Sequence, residues 1–407
     1  MKNYIKTSFP FLIIFLIAFS SFQNQAKAQI EHRPYPVYDT KPVIIQDPYL
    51  MEPSETAMTV NWMTDTNSHS KVMYGTAANG KLDQVAEGQH NGLMPVGTMH
   101  SVRLTGLKPG TAYKYKIASR RVVKLNPYWP EMGKWVESPV YTFTTFDMGK
   151  PDVSFSAITD THEDVSRLKG FMDMINWDET DFLVHTGDAF DWLKNEQQIF
   201  NKWLTPITKS LNQSVPLIYA RGNHELRGPF ARQFYHYVPT HSGNFYFAKD
   251  HGPLHLLVMD TGEDKPDTTN VYAGLNRLKK YKKIEYEWFK RHVDTSESLK
   301  KASFRIIAMH DPKWGWTGGQ GDRWTALANK ANIDFVIAGH WHRYAKLAPG
   351  EADGNDYPIL VLGQHEIAHI DVSEKLITVE VRNTENEVVD SFKIDADGKL
   401  YNFKNKK

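Results

Sequence analysis

Two hydrophobic rhythms divide the chain. Between about residues 42 and 146, apolar and polar positions alternate in twos. Met58, Val60 and Trp62 interleave with Thr59 and Asn61, and Tyr113, Tyr115 and Ile117 with Lys114 and Lys116. Alternation of this kind puts one set of side chains on a buried sheet face and the other in water. Gly75, Asn79-Gly80, Gly106 and Pro109-Gly110 punctuate the runs. Short strands with frequent turns predict an all-β sandwich. From residue 151 onward, apolar runs at 153–158, 182–184, 215–220, 304–309 and 335–338 are separated by longer stretches, and Leu168, Phe171, Met172 and Ile175 follow a helical spacing. Strands alternating with helices predict βαβ units in a layered α/β sandwich, with strand order left open. Residues 374–394 read as a strand pair turning at Asn383 to Asn386 and completing the second sheet.

The domain plan is therefore a front domain over residues 42–146 and an α/β domain over 150–407, behind a linker at 29–41. The first 28 residues follow a different rule. Lys2 and Lys6 precede the largely apolar stretch from Phe9 to Phe22, and Ala26-Lys27-Ala28 is a small-x-small cleavage pattern. The stretch is shorter than the roughly 20 residues that span a bilayer. It reads as a secretory signal peptide, with a retained membrane anchor as the alternative, so the expectation is export to a periplasmic or extracellular space with no transmembrane segment in the mature form. The chain has no cysteine, which excludes disulfides, thiolate ligands and cysteine lipidation. A net charge of +1 provides no global field to recruit a nucleic acid polymer or a membrane. The densest basic run, Lys279-Lys280-Tyr281-Lys282-Lys283, reads as a solvated helix face, with Tyr281, Ile284 and Trp288 at helical spacing.

The candidate chemistry sits at strand ends. The apolar runs of the α/β domain lead into Asp160-Thr-His162, Gly187-Asp188, Gly222-Asn223-His224-Glu225, His310 and Gly339-His340-Trp341-His342. Open α/β sheets bind ligands at the carboxyl ends of their strands. An aspartate in such a place reads equally well as a helix cap. Complementary donors behind the other strands favour a metal site. Asp160, His162, Asp188, Asn223, His310, His340 and His342 offer carboxylate, amide oxygen and imidazole, a set suited to Zn, Fe, Mn or Ni. Seven such groups are too many for one tetrahedral ion and suit two ions bridged by one carboxylate. Two ions about 3.5–4 Å apart clamp the attacking and leaving oxygens of a phosphoryl transfer.

In this order, the five motifs resemble the calcineurin-like metallophosphoesterases over most of residues 151–370. The resemblance implies that Asp160, His162 and His342 hold one metal, that Asn223, His310 and His340 hold the other, and that Asp188 bridges them. It makes His224 a group beside the leaving oxygen rather than a ligand. It makes Asp191 the acid that orients His224, which would raise the histidine's pKa and keep it protonated; a helix-start acid is the plainer reading of Asp191. The front domain's "LTGLKPGTAYKYKI" resembles fibronectin type III, with Tyr113 as the corner tyrosine that bonds back to the backbone. Its expected role is to pack against the α/β domain. A fibronectin-like domain ahead of a metallophosphoesterase, with Arg343-Tyr344 after the last motif, resembles the purple acid phosphatases. Two departures stand out. That branch has glycine where His162 stands and, where Asp191 stands, the iron-binding tyrosine that gives its colour. A colourless enzyme is expected.

Other polar and aromatic residues near the motifs have plainer readings. His255 and His185 read as satisfied histidines, with His185 close enough to Asp188 to brace it. Asp260 reads as a cap or turn residue and His365 as a rim residue. Trp192, Trp314, Trp316 and Trp341 read either as cleft walls or as core. Arg221 and Arg343 flank the motifs and are candidates for a phosphate oxygen. Glu163 and Asp164 read as acids at a helix start.

The expected function is an exported, acid-phosphatase-like phosphoric ester hydrolase using two divalent or trivalent ions (Fe, Zn or Mn). It would cleave small phosphate monoesters by attack of metal-bound hydroxide, with His224 as general acid. The alternatives are a phosphodiesterase or nucleotide hydrolase at the same site, and a non-catalytic surface protein that binds a glycan or partner.

Overall fold

Seven strands build the front of the molecule in a computed structural model that describes residues 34–403. The signal-peptide reading of residues 1–28 and the lysine-rich tail from Lys404 lie outside the described residues. The front strands are β1 (Ile44–Met51), β2 (Ala57–Thr76), β3 (Gln84–Glu87), β4 (Gly97–Thr105), β5 (Ala112–Lys124), β6 (Glu131–Glu137) and β7 (Tyr141–Thr144). Leu50, Met58, Val60, Trp62, Val72, Tyr115, Ile117 and Phe143 form their core. The Tyr113 hydroxyl accepts from the Lys108 backbone N–H at 2.9 Å, the corner bond that the sequence predicts.

The predicted alternation in β2 breaks in one place. Thr59 and Asn61, expected in water, are buried. β1 pairs with β2 edge to edge, Asn61 reaching the Tyr49 carbonyl, and the second domain packs on their face, taking Tyr49, Met51 and Met63 into its core. A strand packed on both faces loses the solvent half of its pattern.

The second domain adds β8 (Asp152–Ile158), β9 (Phe182–His185), β10 (Leu217–Tyr219), β11 (Phe247–His251), β12 (Leu254–Val258), β13 (Phe304–Ala308), β14 (Phe335–Ala338), β15 (Ala345–Leu347), β16 (Ile359–Val361), β17 (Glu366–Ser373), β18 (Leu376–Asn383), β19 (Val388–Asp395) and β20 (Leu400–Tyr401). One sheet runs β20-β19-β18-β17-β8-β9-β10 and continues into β1-β2-β5-β6 of the front domain, so the two domains share a sheet. Met51 of β1 pairs in parallel with Leu217 of β10. The other sheet runs β11-β12-β13-β14-β16-β15. Phe155, Phe182, Ile218, Phe304, Ile306, Phe335 and Ile370 pack between the two sheets. The predicted hairpin at 374–394 is present as β18 and β19. Through β17 it extends the sheet of β8, not the opposite sheet of β12 to β14.

Helix α1 (Val165–Met174) packs outside the first sheet through Leu168, Phe171 and Met172, with Asp164 as its N-cap accepting from Arg167 N–H at 3.0 Å. Helices α2 (Leu278–Thr295) and α3 (Gly321–Lys330) cover the second sheet. Helix α2 corrects the expected basic face. Lys279, Lys280 and Lys283 are exposed, but Lys282 is buried, donating to the Asp260 carbonyl and lying 4.3 Å from the Trp324 ring centroid. The buried stripe is Lys282, Glu285, Phe289 and Val293, and Ile284 points to solvent. The helix turns a polar pair inward because Glu285 accepts from Asp260 N–H and lies 3.6 Å from Lys282.

Strands β8, β9 and β10 are parallel neighbours in the first sheet, and β13 and β14 in the second. Their carboxyl ends lie at one edge of the sandwich, where the five motif loops meet.

Candidate metal centre

The loop after each strand turns sharply to point its donor inward. Asp160, His162, Asp188, His340 and His342 all have positive φ, between 42° and 71°. Residues other than glycine rarely adopt this conformation, and such strain gathers at functional sites. The glycines beside them solve a packing problem. A Cβ on Gly339 would lie 2.0 Å from Thr159 Oγ1 and 2.4 Å from Asp160 Oδ2, and one on Gly222 would lie 2.2 Å from Asp188 Oδ1. The carboxylates occupy the space that a side chain at either position would need.

Two donor clusters result. In the first, His162 Nε2 lies 3.1 Å from His342 Nε2, and Asp160 Oδ1 lies 3.7 Å and 3.3 Å from these nitrogens. In the second, His310 Nε2 lies 3.0 Å from Asn223 Oδ1 and 3.3 Å from His340 Nδ1, and His340 Nδ1 is 3.1 Å from Asn223 Oδ1. Asp188 Oδ2 stands between the clusters, 3.0 Å from His310 Nε2 and 4.0 Å from His162 Nε2. All seven sequence-predicted ligands are therefore brought together, with Asp188 in the middle.

The chemistry of the donors fits cations. Asp160 Oδ1 and Asp188 Oδ2 are buried and have no hydrogen-bond partner, while their sister oxygens are satisfied by Thr159, His340 N–H and His224 N–H. An unpaired buried carboxylate oxygen is costly. Burial opposes charge on His310, yet Asp188 and Asp160 together push its pKa up to about 10. The same surroundings, against their own burial, hold Asp160 well below the usual carboxylate range through His162 and His342. The pocket demands positive charge. His310 Nδ1 donates to the Thr186 carbonyl at 2.7 Å, which turns Nε2 and its lone pair toward Asn223 and Asp188 when the ring is neutral.

Outer contacts hold this arrangement. Glu225, within the "GNHE" motif but given no role from sequence, is fully buried. It accepts from Asp188 N–H at 3.0 Å, Ala189 N–H at 2.8 Å and Gly222 N–H at 2.9 Å. Burial and the Asp188 charge raise its pKa to about 7. His185 takes the Gly187 N–H on Nδ1 and meets Thr161 Oγ1 through Nε2, bracing two ligand loops, and burial lowers its pKa to about 3.

His224 and Asp191 depart from the expected pairing. The Asp191 carboxylate bonds His162 Nδ1 at 3.0 Å, and His224 Nδ1 donates to the Asp191 backbone carbonyl at 2.6 Å. The pKa of His224 is lowered, not raised, because burial outweighs Asp188 and the Asp191 carbonyl, with Arg227 and His162 adding to the fall. Sequence reasoning paired the wrong atom, since only the fold decides that the carboxylate turns toward the Asp160 loop.

The residues with plainer readings also find places. His255 bonds Asp250 and His292 away from the centre. Asp260 caps Gly262 N–H and pairs with Arg221 at 2.5 Å, so Arg221 is not free for phosphate. Arg343 sits over Trp341, 5.8 Å from the ring centroid, and Tyr344 anchors Asp390 of β19. Trp314 is core, Trp341 packs beside that core, Trp316 is half-buried, and Trp192 is exposed beside Lys194. His365 is exposed. Glu163 accepts from Gln198 at 2.7 Å. Missed altogether were Arg227 and Glu263, which meet beside His224. Glu263 lies in the loop after β12, a strand whose end carries none of the seven donors.

A layered sandwich with two donor clusters sharing one carboxylate defines the class of metal-dependent phosphoesterases. Residues 154–344 match the calcineurin-like phosphoesterase family, and residues 49–145 match the purple acid phosphatase N-terminal domain. The chain thus joins a purple acid phosphatase N-terminal domain to a calcineurin-like phosphoesterase domain, an arrangement that makes it a metal-dependent phosphoric ester hydrolase. It is 23% identical to mouse acid phosphatase type 7 over 331 residues, covering 74% of this chain and 69% of that protein. It is 21% identical to the probable purple acid phosphatase 20 of Arabidopsis thaliana, covering 72% and 66% respectively. The fold is similar to that of the purple acid phosphatase PPD1 from yellow lupin seeds, with a TM-score of 0.62 at 15% identity over 87% of this chain and 74% of that one. It is equally similar to the structure of PhoD, with a TM-score of 0.62 at 12% identity over 91% and 94%.

Proposed function

We propose that this protein is an exported hydrolase of small phosphate monoesters, working with two metal ions. The observation that carries the reading is Asp188 Oδ2, a buried carboxylate oxygen that faces only imidazole nitrogens and is shared by two donor clusters. Asp160, His162 and His342 would hold one ion, Asn223, His310 and His340 the other, and Asp188 both. When bound, such a pair supplies Lewis-acid charge for phosphoryl oxygens and an activated water at neutral pH.

The chain's own residues do the rest. Glu225 fixes the Asp188 backbone, so the bridging carboxylate does not move between the clusters. Asp191 holds the His162 ring, and Thr186 holds the His310 ring, each through the nitrogen that faces away from the cluster. His224, fixed through Nδ1, presents Nε2 to the cleft 3.8 Å from Asp188 Oδ2, where, once Nε2 has taken up a proton from solvent, it would pass that proton to the leaving oxygen. Export rests on the signal-like pattern of residues 1–28. Among the described residues, no helix is long and apolar enough to cross a membrane.

Elemental analysis of the purified protein, then rates on a monoester and a bis-ester, test the reading. Two metal equivalents, loss of activity on chelation and faster monoester cleavage are expected. Full activity in verified metal-free protein would sink it. With aspartate at position 191 in place of a phenolate donor, the iron-loaded enzyme should show no visible charge-transfer band.

A further inference from the structure

We propose that Arg227, anchored by Glu263, is the phosphate clamp of this site and gives it selectivity for esters that carry a dianionic phosphate. The inference deepens the phosphoesterase reading and rests on it.

The geometry isolates one donor. Arg227 Nε and Nη2 both bond Glu263 Oε1, at 2.9 Å and 2.6 Å, and Nη2 lies 3.4 Å from Asp264 Oδ1. Nη1 is the nitrogen that points elsewhere, to His224 Nε2 at 3.0 Å. That histidine nitrogen is an acceptor here, because the Nδ1 proton is committed to the Asp191 carbonyl. Nη1 is the guanidinium nitrogen that no carboxylate holds, so it can turn to another acceptor in the cleft. A phosphoryl oxygen entering beside Asp188 and His224 is such an acceptor, and it receives a charge-assisted bond from a guanidinium already held in place.

The anchor argues for more than a structural pair. The Glu263 side chain is completely buried, whereas the Arg227 side chain is 28% exposed. Glu263 Oε2 has no hydrogen-bond partner. Burying a carboxylate to hold a partly exposed arginine is a costly way to gain stability. It is an effective way to fix a long side chain at the mouth of a cleft, because the rotamer entropy is lost in folding and not on binding. The loop positions fit as well. Glu263 follows β12, whose neighbour β13 delivers His310, and the Glu263 carbonyl accepts from Trp316 N–H at 2.8 Å, tying it to the loop beyond His310. A monoester offers one more ionised oxygen than a diester, and Nη1 is placed to meet it.

Inorganic phosphate is the probe. Its binding to the metal-loaded protein is measured calorimetrically for wild type, Arg227→Ala, Arg227→Lys and Glu263→Gln, with elemental analysis of each. Arg227→Ala should weaken phosphate binding tenfold or more and lower the monoester-to-diester rate ratio by a similar factor, with metal content unchanged. Arg227→Lys should fall between, since lysine cannot keep the two-point anchor. Glu263→Gln should follow Arg227→Ala part of the way. Phosphate affinity and rate ratio within twofold of wild type would overturn the proposal. So would loss of metal from both arginine variants, which would make the residue structural. If wild type cleaves no ester while phosphate binding still depends on Arg227, the clamp stands and the esterase reading fails.

Discussion

Asp191 and His162 form a carboxylate–imidazole pair of 3.0 Å in which the aspartate meets the ring nitrogen that faces away from His342 and Asp160. Carboxylates in this position orient a ligand and strengthen it. Asp191→Ala should therefore weaken the ion held by Asp160, His162 and His342 by about 10–100-fold, the usual effect of such a contact. The ion held by Asn223, His310 and His340 should be untouched. Chelator competition, read as two separate affinities, checks this. Unchanged affinity for both ions would return Asp191 to the helix-start role.

Asp188→Asn should be the most damaging single change in the centre. The amide keeps the shape and the contact with His224 N–H but removes the charge shared by both clusters. A loss on the order of a thousandfold in turnover is expected, at the upper end for one electrostatic contact in a transition state. Metal content should drop at both positions together. Loss of one ion alone would mean that Asp188 does not bridge.

His224→Ala should spare metal binding, since His224 is outside both proposed ligand sets. Losing a positioned general acid costs about 10²–10⁴-fold, and the loss belongs to leaving groups that need a proton. An alkyl phosphate should suffer most and a nitrophenyl phosphate least. Equal losses on the two substrates would count against the acid role.

Stability should show a pH dependence far from the centre. Asp334 accepts from the Arg305 backbone at 2.7 Å, and burial, opposed by that bond and the Arg305 charge, raises its pKa to about 6. A carboxyl raised above its unfolded value of about 3.9 binds protons more tightly in the folded state. Its contribution is therefore fully present below about pH 4 and lost as pH rises through 6. Asp334→Asn should remove roughly 1–3 kcal/mol of that dependence, on the conversion of about 1.4 kcal/mol per pKa unit. Urea midpoints between pH 4 and 7 for the two proteins give the comparison, and parallel curves would contradict it.

The candidate ligands were legible because each is a local event: an apolar strand, a turn and a donor. Asp188 and His310 need no distant information to be recognised as strand-end donors. What surrounds them was not legible, because it depends on which loops meet. The carboxylate of Asp191 reaches His162, not His224, across loops after β8 and β9. Arg227 and Glu263 lie 36 residues apart, and neither has a motif of its own. The fold divides in the same way. The strand rhythm was readable in β2 and β5, but Thr59 and Asn61 broke the alternation because a second domain covers their face. Helix α2 was readable as a helix, while its buried stripe was not, because Lys282 and Glu285 point inward to serve Asp260.

The parallel pairing of Met51 with Leu217 makes the front domain a closing strand for its neighbour. Cutting the chain between the domains would leave the hydrogen-bonding groups of β10 as an open edge, the kind that recruits strands from other molecules and aggregates. The apolar surface of Tyr49, Met51 and Met63 would be bared beside it. The hydrolase half is thus not a detachable module, and the two halves should melt as one unit despite their different architectures.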